Sequence, residues 1–314
     1  MLEFSQVLLF ATTIIIAVAF GLYVLSALAA KRTVPRAAAR PVAVGVGATK
    51  TAGAEQGADT PSESGKTPAI KPGSKTTQAR GIPWFSSLLV VVALLSLTLS
   101  VAVRWIAAGE PPLANQYEFA TAFAWGMILF QIYFERTYKV RTLGLVTLPV
   151  ILAMLIYVTT LSSEKQPLMP ALQNSPLLTL HVFTAALAYG AAVVGFGAAV
   201  MYLLAPHISW QGWPRRDLLD EIAYKAVVFT FPLLTIMIVL GAVWANIAWG
   251  RYWAWDPKET SALVTWLIYG AYIHARVVRN WRGNKAAWLL VLGFLAVIFT
   301  FFGNLWFGGL HSYL

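Results

Sequence analysis

The sequence predicts an all-α, polytopic integral membrane protein with about eight transmembrane helices. Of its 314 residues, 58% are hydrophobic and only 11% are charged, and the mean hydropathy is +0.67. Soluble domains carry about 25% charged residues. The apolar residues also fall into separate runs, most of which reach the length of about 20 residues that a helix needs to cross a bilayer.

The apolar runs define the predicted spans, because a helix satisfies its own backbone hydrogen bonds and lipid offers no other partner for them. The third span is the shortest, and Pro232 inside the sixth is expected to kink that helix. The eight predicted spans are Val7–Ala30, Trp84–Ala107, Tyr117–Phe134, Leu143–Leu161, Leu178–Leu204, Ala226–Ala248, Pro257–Val278 and Ala286–Phe307.

The segment 31–81 divides the chain into three parts. It is rich in Ala, Gly, Thr, Pro and Ser and has almost no large apolar residues, so it cannot bury enough surface to fold. We therefore expect an N-terminal transmembrane helix at 1–30, a disordered cytoplasmic linker at 31–81 and a membrane domain at 82–314. Within that domain a tryptophan-rich loop at 244–260, here called the tryptophan loop, stands out.

The distribution of basic residues predicts the orientation. The net charge of +10 could suggest a nucleic-acid partner, but the basic residues lie in short clusters between apolar runs, so no nucleic-acid partner is expected. Of the 23 Lys and Arg, 19 fall in one set of alternating loops. The positive-inside rule places that set in the cytoplasm, and both termini and the tryptophan loop outside. The opposite set contains Arg104, Lys165, Arg251 and Lys258.

The tryptophan loop carries the strongest functional signal. Within twelve positions it contains Trp244, Trp249, Tyr252, Trp253 and Trp255. An aromatic belt at the membrane interface is one interpretation, but belts distribute their rings over many helix ends. A cluster at one place favours a flat aromatic surface for a large planar ligand, since each stacked pair contributes about 0.5–1.5 kcal/mol beyond area burial.

Two carboxylates follow these aromatic residues. Asp256, Pro257 and Glu259 fit the N-cap, N1 and N3 positions of the seventh helix. Capping is therefore the main role expected of Asp256 and Glu259, and contact with a ligand or partner would be an additional one.

The four histidines separate into two groups. His181 begins the fifth span and His311 follows the eighth, and both are predicted at the depth of the tryptophan loop. Two neutral imidazoles on opposite faces are a common ligand set for haem iron. His274 lies inside the seventh span, where an ionisable group is costly and usually functional. Each could instead be an ordinary interfacial histidine, and His207 has no assigned role.

Several segments resemble a known family of haem-handling membrane proteins with a tryptophan-rich "WWD" signature. The signature segment ends in Asp-Pro-Lys-Glu, as in the CcsA/ResC branch of system II cytochrome c biogenesis. The similarity covers about residues 84–314. The segments that carry it are Trp249-Gly-Arg-Tyr-Trp-Ala-Trp-Asp-Pro-Lys-Glu259, Asn115-Gln-Tyr-Glu118, Pro170-Ala-Leu-Gln173, Leu180-His181-Val182, Tyr272-Ile-His274-Ala-Arg276 and Leu310-His311-Ser-Tyr313.

The resemblance implies a subunit of a holocytochrome c synthase in the plasma membrane of a bacterium, with its active site on the extracytoplasmic face. His181 and His311 would be axial ligands of haem b, which is both substrate and bound ligand, and His274 would contribute to a haem site used in transit. The implied partners are a CcsB/ResB-type membrane subunit, apocytochrome c and a thiol-reducing thioredoxin-like protein. No residue is assigned as a general acid or base.

Three other functions stay open at this point. A haem exporter or chaperone of the CcmC or CcmF type would bring haem to the outer site without ligase chemistry. A b-type electron-transfer protein would hold haem permanently, commonly between helices with both histidine ligands buried. A transporter for a solute other than haem would not need the tryptophan loop.

Overall fold

The computed structural model describes residues 1–32, 81–113, 115–164, 176–208, 210, 212–303 and 306–311. Most of the predicted linker at 31–81 lies outside the described residues, and its expected disorder stays a prediction. The described residues form one compact unit, and no β-strand occurs among them. The all-α class is confirmed.

The described residues form eight α-helices, one at each predicted span. Short 3₁₀ turns at Arg141–Leu143 and Ala205–His207 precede α4 and follow α5. The helices are α1 Leu2–Arg32, α2 Ile82–Ala108, α3 Gln116–Tyr138, α4 Gly144–Thr160, α5 Pro176–Leu204, α6 Arg216–Trp249, α7 Pro257–Val277 and α8 Asn284–Phe302.

Two helix ends differ from the predicted spans. Helix α6 begins at Arg216, ten residues before the predicted start, because its first turns are polar and contribute no hydropathy. It continues through Pro232 as one helix. Helix α8 ends at Phe302, and residues 306–311 form turns rather than the helix end expected at Phe307.

Six of the eight helices are long and apolar enough to cross a membrane, namely α1, α2, α4, α5, α6 and α8. The other two are more polar. Helix α3 buries Glu118, Gln131 and Glu135, and α7 carries Lys258 and Glu259 in its first turn. The chain is therefore a multi-pass membrane protein in which the two most polar helices contribute buried polar groups.

Helix α5 is the most enclosed of the apolar helices and packs against α3, α4, α6 and α8. It approaches α3 closely through glycine. A Cβ at Gly126 would lie 2.2 Å from the Ala186 carbonyl oxygen, and one at Gly190 would lie 2.3 Å from the Gly126 carbonyl oxygen. Small residues allow this backbone approach in membrane helices, and here they hold α3 and α5 together.

The α1–α2 pair is joined to α3 by buried polar contacts at two levels. The Tyr23 hydroxyl donates to Glu135 Oε2 at 2.5 Å, and Ser87 donates to the other oxygen of the same carboxylate. At the opposite end Arg104 pairs with Glu118 at 2.6 Å. These contacts fix the position of α3, whose first turn borders the site described next.

Candidate functional site

A cavity lies where the first turns of α3, α5 and α7 meet the last turns of α6 and the segment after α8. The empty space in and in front of it, including the part open to the outside, is about 910 Å³. Its lining includes five of the residues singled out from the sequence, namely His181, Trp244, Tyr252, Trp253 and His311.

His181 is fixed by the main chain of α6. Its Nδ1 lies 2.7 Å from the Met237 carbonyl oxygen. Because a carbonyl oxygen only accepts, Nδ1 must carry the proton, and in the neutral ring Nε2 then keeps a free lone pair. This is how metal-binding histidines are usually held, with one ring nitrogen donating to the protein.

Gly241 makes room for that imidazole one turn further along α6. A Cβ at this position would lie 2.7 Å from His181 Cε1 and 2.8 Å from Nδ1. No Cβ contact is normally so short. The glycine therefore allows α6 to pass close to the His181 ring while the Met237 carbonyl orients it.

His311 is fixed in the same way by a side chain. Its Nδ1 lies 3.0 Å from Asp256 Oδ1, and both side chains are largely buried. Burial would raise the pKa of the Asp256 carboxyl, but the hydrogen bonds from His311 and from the Lys258 and Leu310 main-chain N–H groups outweigh it and hold the pKa at about 2. An ionised carboxylate only accepts, so His311 donates a hydrogen bond to it through Nδ1–H, and this fixes which ring nitrogen carries the proton.

Gly309 allows the chain after α8 to reach this carboxylate. The Leu310 N–H donates to Asp256 Oδ2 at 2.6 Å, and a Cβ at Gly309 would lie only 2.2 Å from the same oxygen. Asp256 therefore anchors both the main chain and the imidazole of the segment that carries His311.

Two indoles pack around His311. The Trp249 ring lies 5.1 Å from the His311 ring, centroid to centroid, in an edge-on arrangement, and the Trp244 ring lies 6.1 Å away. The two indoles also contact each other at 4.7 Å, and Trp244 is 2% exposed. The Trp249 contact is edge-to-face, which is favourable at this distance, and the Trp244 contact is tilted. Together Trp244 and Trp249 restrict the orientation of the imidazole.

The turn that leads into α7 is held by Glu259. Its Oε2 accepts the N–H of Ala254 at 2.8 Å and that of Asp256 at 3.2 Å, while Asp256 caps the helix through the Lys258 N–H at 2.9 Å. The capping box expected from the sequence is present. Between the two bound N–H groups, Trp255 adopts a left-handed backbone with φ of 57°, which costs about 1–2 kcal/mol for a non-glycine residue.

The structure does not bring every predicted site residue to the cavity. The Trp255 side chain is 70% exposed and borders a separate depression with Val264 and Phe299. His274 is exposed in the last turns of α7, about 26 Å from the helix start at 1.5 Å per residue. His207 is also exposed. A role for Trp255 or His274 in ligand binding stays a prediction.

Other cavity residues were not predicted from the sequence. Gln116 and Phe119, from the first turn of α3, line the cavity together with Lys258 of α7. Met237 and Gly241 of α6 also line it. Lys258 was visible within the Asp-Pro-Lys-Glu segment, but no sequence signal marks Gly241 or Met237, because their roles depend on the register between α5 and α6.

The profile of the cytochrome C assembly protein family matches residues 113–311. A cytochrome c biogenesis protein CcsA of Guillardia theta is 36% identical over 251 residues, covering 71% of this chain and 83% of that protein. The CcsA of Microcystis aeruginosa is 35% identical and that of Pyropia yezoensis 34%, each covering 74% of this chain and 88% of the relative. The chain therefore belongs to the cytochrome c assembly family, in its CcsA-type branch, and takes part in cytochrome c maturation.

Proposed function

We propose that the protein is the membrane subunit of a cytochrome c synthetase that carries haem across the membrane and holds it between His181 and His311. It then presents the haem for thioether attachment to the Cys-x-x-Cys-His motif of apocytochrome c. The observation that carries the proposal is the pair of imidazoles at one cavity, each bonded through Nδ1 to the protein. Two imidazoles held through Nδ1 at one cavity are suited to the two axial positions of haem b iron.

The aromatic residues fit the flat ring of the same ligand. Trp244, Tyr252 and Trp253 line the cavity, while Trp249 supports Trp244 and His311 from behind. The apolar walls and rings would exclude water from the iron, and the bound imidazoles would occupy the positions at which oxygen reacts. The ligand is cargo and substrate here, so the site must hold it firmly and still release it.

The attachment reaction is an addition. Each substrate thiol would form a carbon–sulfur bond to the inner carbon of a haem vinyl group, and the proton would go to the outer carbon, so no oxidant is consumed. The protein would contribute mainly position and exclusion of water. The chain has no cysteine that could compete with the substrate thiols.

The proposed location of this chemistry is the extracytoplasmic face of a bacterial plasma membrane. The support is the loop charge distribution, in which 19 of the 23 basic residues belong to the opposite set of loops. The proposed partner is a CcsB/ResB-type subunit, and a thiol-reducing protein would keep the apocytochrome cysteines reduced. His274, exposed near the other end of α7, is suited to a haem site shared with that partner during transit.

The test uses the full-length chain purified with its membrane partner. We expect a bis-imidazole haem spectrum in the wild type and a loss of haem or of that spectrum in His181→Gly and His311→Gly, which imidazole in the buffer restores. His207→Gly is the matched control and should not change the spectrum. Unchanged haem content and spectrum in both cavity variants would refute the axial-ligand assignment.

A second assay separates the ligase from the haem exporter or chaperone, because both would hold haem at the same site. The purified complex is incubated with reduced Cys-x-x-Cys-His peptide, and thioether formation is measured by the shift of the pyridine haemochrome spectrum. Attachment by the complex supports the ligase. Attachment only after another protein is added supports the exporter.

A further inference from the structure

We propose that Lys258 and Gln116 form a carboxylate-binding corner of the cavity that receives a propionate of the bound haem. The proposal rests on haem being the ligand of this cavity, and it adds how the ligand is oriented in its own plane. Two axial imidazoles leave a porphyrin free to rotate about the axis that joins them. A fixed contact to one edge is needed to place the vinyl groups at the entrance for the substrate thiols.

Lys258 brings a positive charge to a cavity lined mainly by apolar and aromatic side chains, with Gln116 and Glu259 as other polar residues in the lining. Its ammonium lies 5.7 Å from the centre of the Phe119 ring. Within the part of the chain that the structure describes, no carboxylate lies within ion-pair distance of it. A cation that is partly removed from water favours an anionic partner, and haem brings two carboxylates.

The neighbouring carboxylates are used elsewhere. Asp256 directs Oδ1 to the Lys258 main-chain N–H and to His311, and Oδ2 to Leu310. Glu259 uses Oε2 to hold the main chain at Ala254 and Asp256. The charge of Lys258 is therefore not explained by an ion pair within the tryptophan loop.

Helix stability does not explain a lysine at this position either. Lys258 is the second residue of α7, where the helix dipole presents partial positive charge and favours acidic side chains. The helix start is already stabilised by the capping box of Asp256 and Glu259. The helix dipole therefore disfavours a lysine there, and an anionic partner outside the helix would give a reason for its presence.

Gln116 supplies a second donor beside Lys258. Its Nε2 is completely buried and lacks an acceptor among the residues described. It is not needed as a cap, because Asn115 caps α3 through the Glu118 N–H at 3.0 Å. Gln116 and Phe119 are three residues apart on one face of α3, and the Lys258 ammonium contacts Phe119. The amide and the ammonium therefore border the same part of the cavity.

A propionate between these groups would satisfy both at once. A buried amide N–H without an acceptor is costly, and a carboxylate could accept its hydrogen bond while pairing with the adjacent ammonium. Because Lys258 belongs to α7, Gln116 to α3 and the axial histidines to α5 and the segment after α8, the ligand would be held from four separate segments. That arrangement defines the rotation of the porphyrin as well as its depth.

The experiment compares ferric protoporphyrin IX with its dimethyl ester, which keeps the ring, the iron and the vinyl groups but has no carboxylates. Each is titrated into the purified full-length chain, and the dissociation constant is read from the bis-imidazole absorbance. We expect the wild type to bind haem about 10–100-fold more tightly than the ester, as for loss of a charged hydrogen bond. Lys258→Met should remove most of that preference without changing the affinity for the ester.

Three further variants complete the design. Lys258→Arg keeps the charge and should keep the preference, and Gln116→Leu should reduce it by a smaller factor. Arg251→Gln is the matched control, because this cation belongs to the same loop but lies outside the cavity lining, and its preference should equal that of the wild type. A general effect of positive charge would instead appear in Arg251→Gln as well.

The outcomes separate this inference from the proposed function. Equal affinity of the wild type for haem and ester, with a bis-imidazole spectrum for both, would overturn the carboxylate corner and leave the axial site intact. An undiminished preference in folded Lys258→Met would do the same. If neither haem nor its dimethyl ester gives a bis-imidazole spectrum, the proposed function itself is overturned. If Lys258→Met does not fold, the ester comparison in the wild type and in Gln116→Leu still decides the matter.

Discussion

Substitution of Gly241 by alanine tests whether the close passage of α6 orients His181. The new Cβ would lie 2.7 Å from His181 Cε1, so the ring must withdraw by at least 0.7 Å to reach the 3.4 Å of ordinary van der Waals contact. The ring is rigid and is bonded at 2.7 Å to the Met237 carbonyl oxygen. The withdrawal therefore either breaks that hydrogen bond or shifts α6.

The expected loss follows from the role of that bond. Disturbing the partner of a metal-binding histidine lowers metal affinity about 10–100-fold, which corresponds to about 1.4–2.8 kcal/mol. We expect this loss when haem is titrated into the full-length Gly241→Ala chain. Gly21→Ala is the matched control, because it also adds one methyl group to a membrane helix but meets nothing within 4 Å.

A double substitution makes the test specific. In the His181→Gly background with imidazole in the buffer, the ligand is no longer tethered, so adding Gly241→Ala should cost much less than it does alone. The reasoning is refuted if Gly241→Ala binds haem with the affinity and spectrum of the wild type. It is also refuted if the loss is equally large in both backgrounds, because the effect would then not pass through His181.

Three other predictions concern the anchoring of His311 and the helix packing. Asp256→Asn keeps an oxygen for the α7 cap but turns an amide donor toward the Leu310 N–H. Haem affinity should therefore fall about 10–100-fold. The melting temperature of the haem-free protein should fall less than in Asp256→Ala. The Asp256 pKa of about 2 lies below the ordinary 3.8. The stabilising contribution of this carboxylate is therefore present above about pH 4 and is lost as the pH falls toward 2. Thermal melts from pH 5 to 2 should show this loss of stability, and the loss should be smaller in Asp256→Asn. Gly126→Ala places a Cβ 2.2 Å from the Ala186 carbonyl oxygen and should cost at least about 1–3 kcal/mol; a melting temperature equal to that of Gly21→Ala would contradict this.

The helices were predictable because hydropathy alone marks a segment that must satisfy its backbone inside lipid. The predicted ends of two helices were wrong, because there the apolar run and the helix do not begin or end at the same residue. The apolar run continues through Trp306 and Phe307 after α8 has ended, so the predicted span was too long. At the start of α6 a polar helical stretch from Arg216 was omitted for the opposite reason.

For the site, the sequence reveals residue types but not contacts. Rare histidines and clustered tryptophans are unusual enough in an apolar chain to be noticed directly. Met237 and Gly241 act through a carbonyl and through an absent side chain, and neither leaves a compositional signal. Their importance follows only from the register in which α6 passes His181, which is set by packing along the whole α5–α6 contact.

Capping is the main role that the sequence predicts for Asp256. It leaves room for a second role, because a carboxylate has two oxygens with two acceptor positions each. Oδ1 accepts from the Lys258 N–H at 2.9 Å and from His311 at 3.0 Å, and Oδ2 accepts from the Leu310 N–H at 2.6 Å. The cap fixes the carboxylate relative to the axis of α7, and the remaining acceptor positions transmit that alignment to His311. A helix cap thereby becomes the reference point for His311, the proposed axial ligand, which the chain supplies more than fifty residues later.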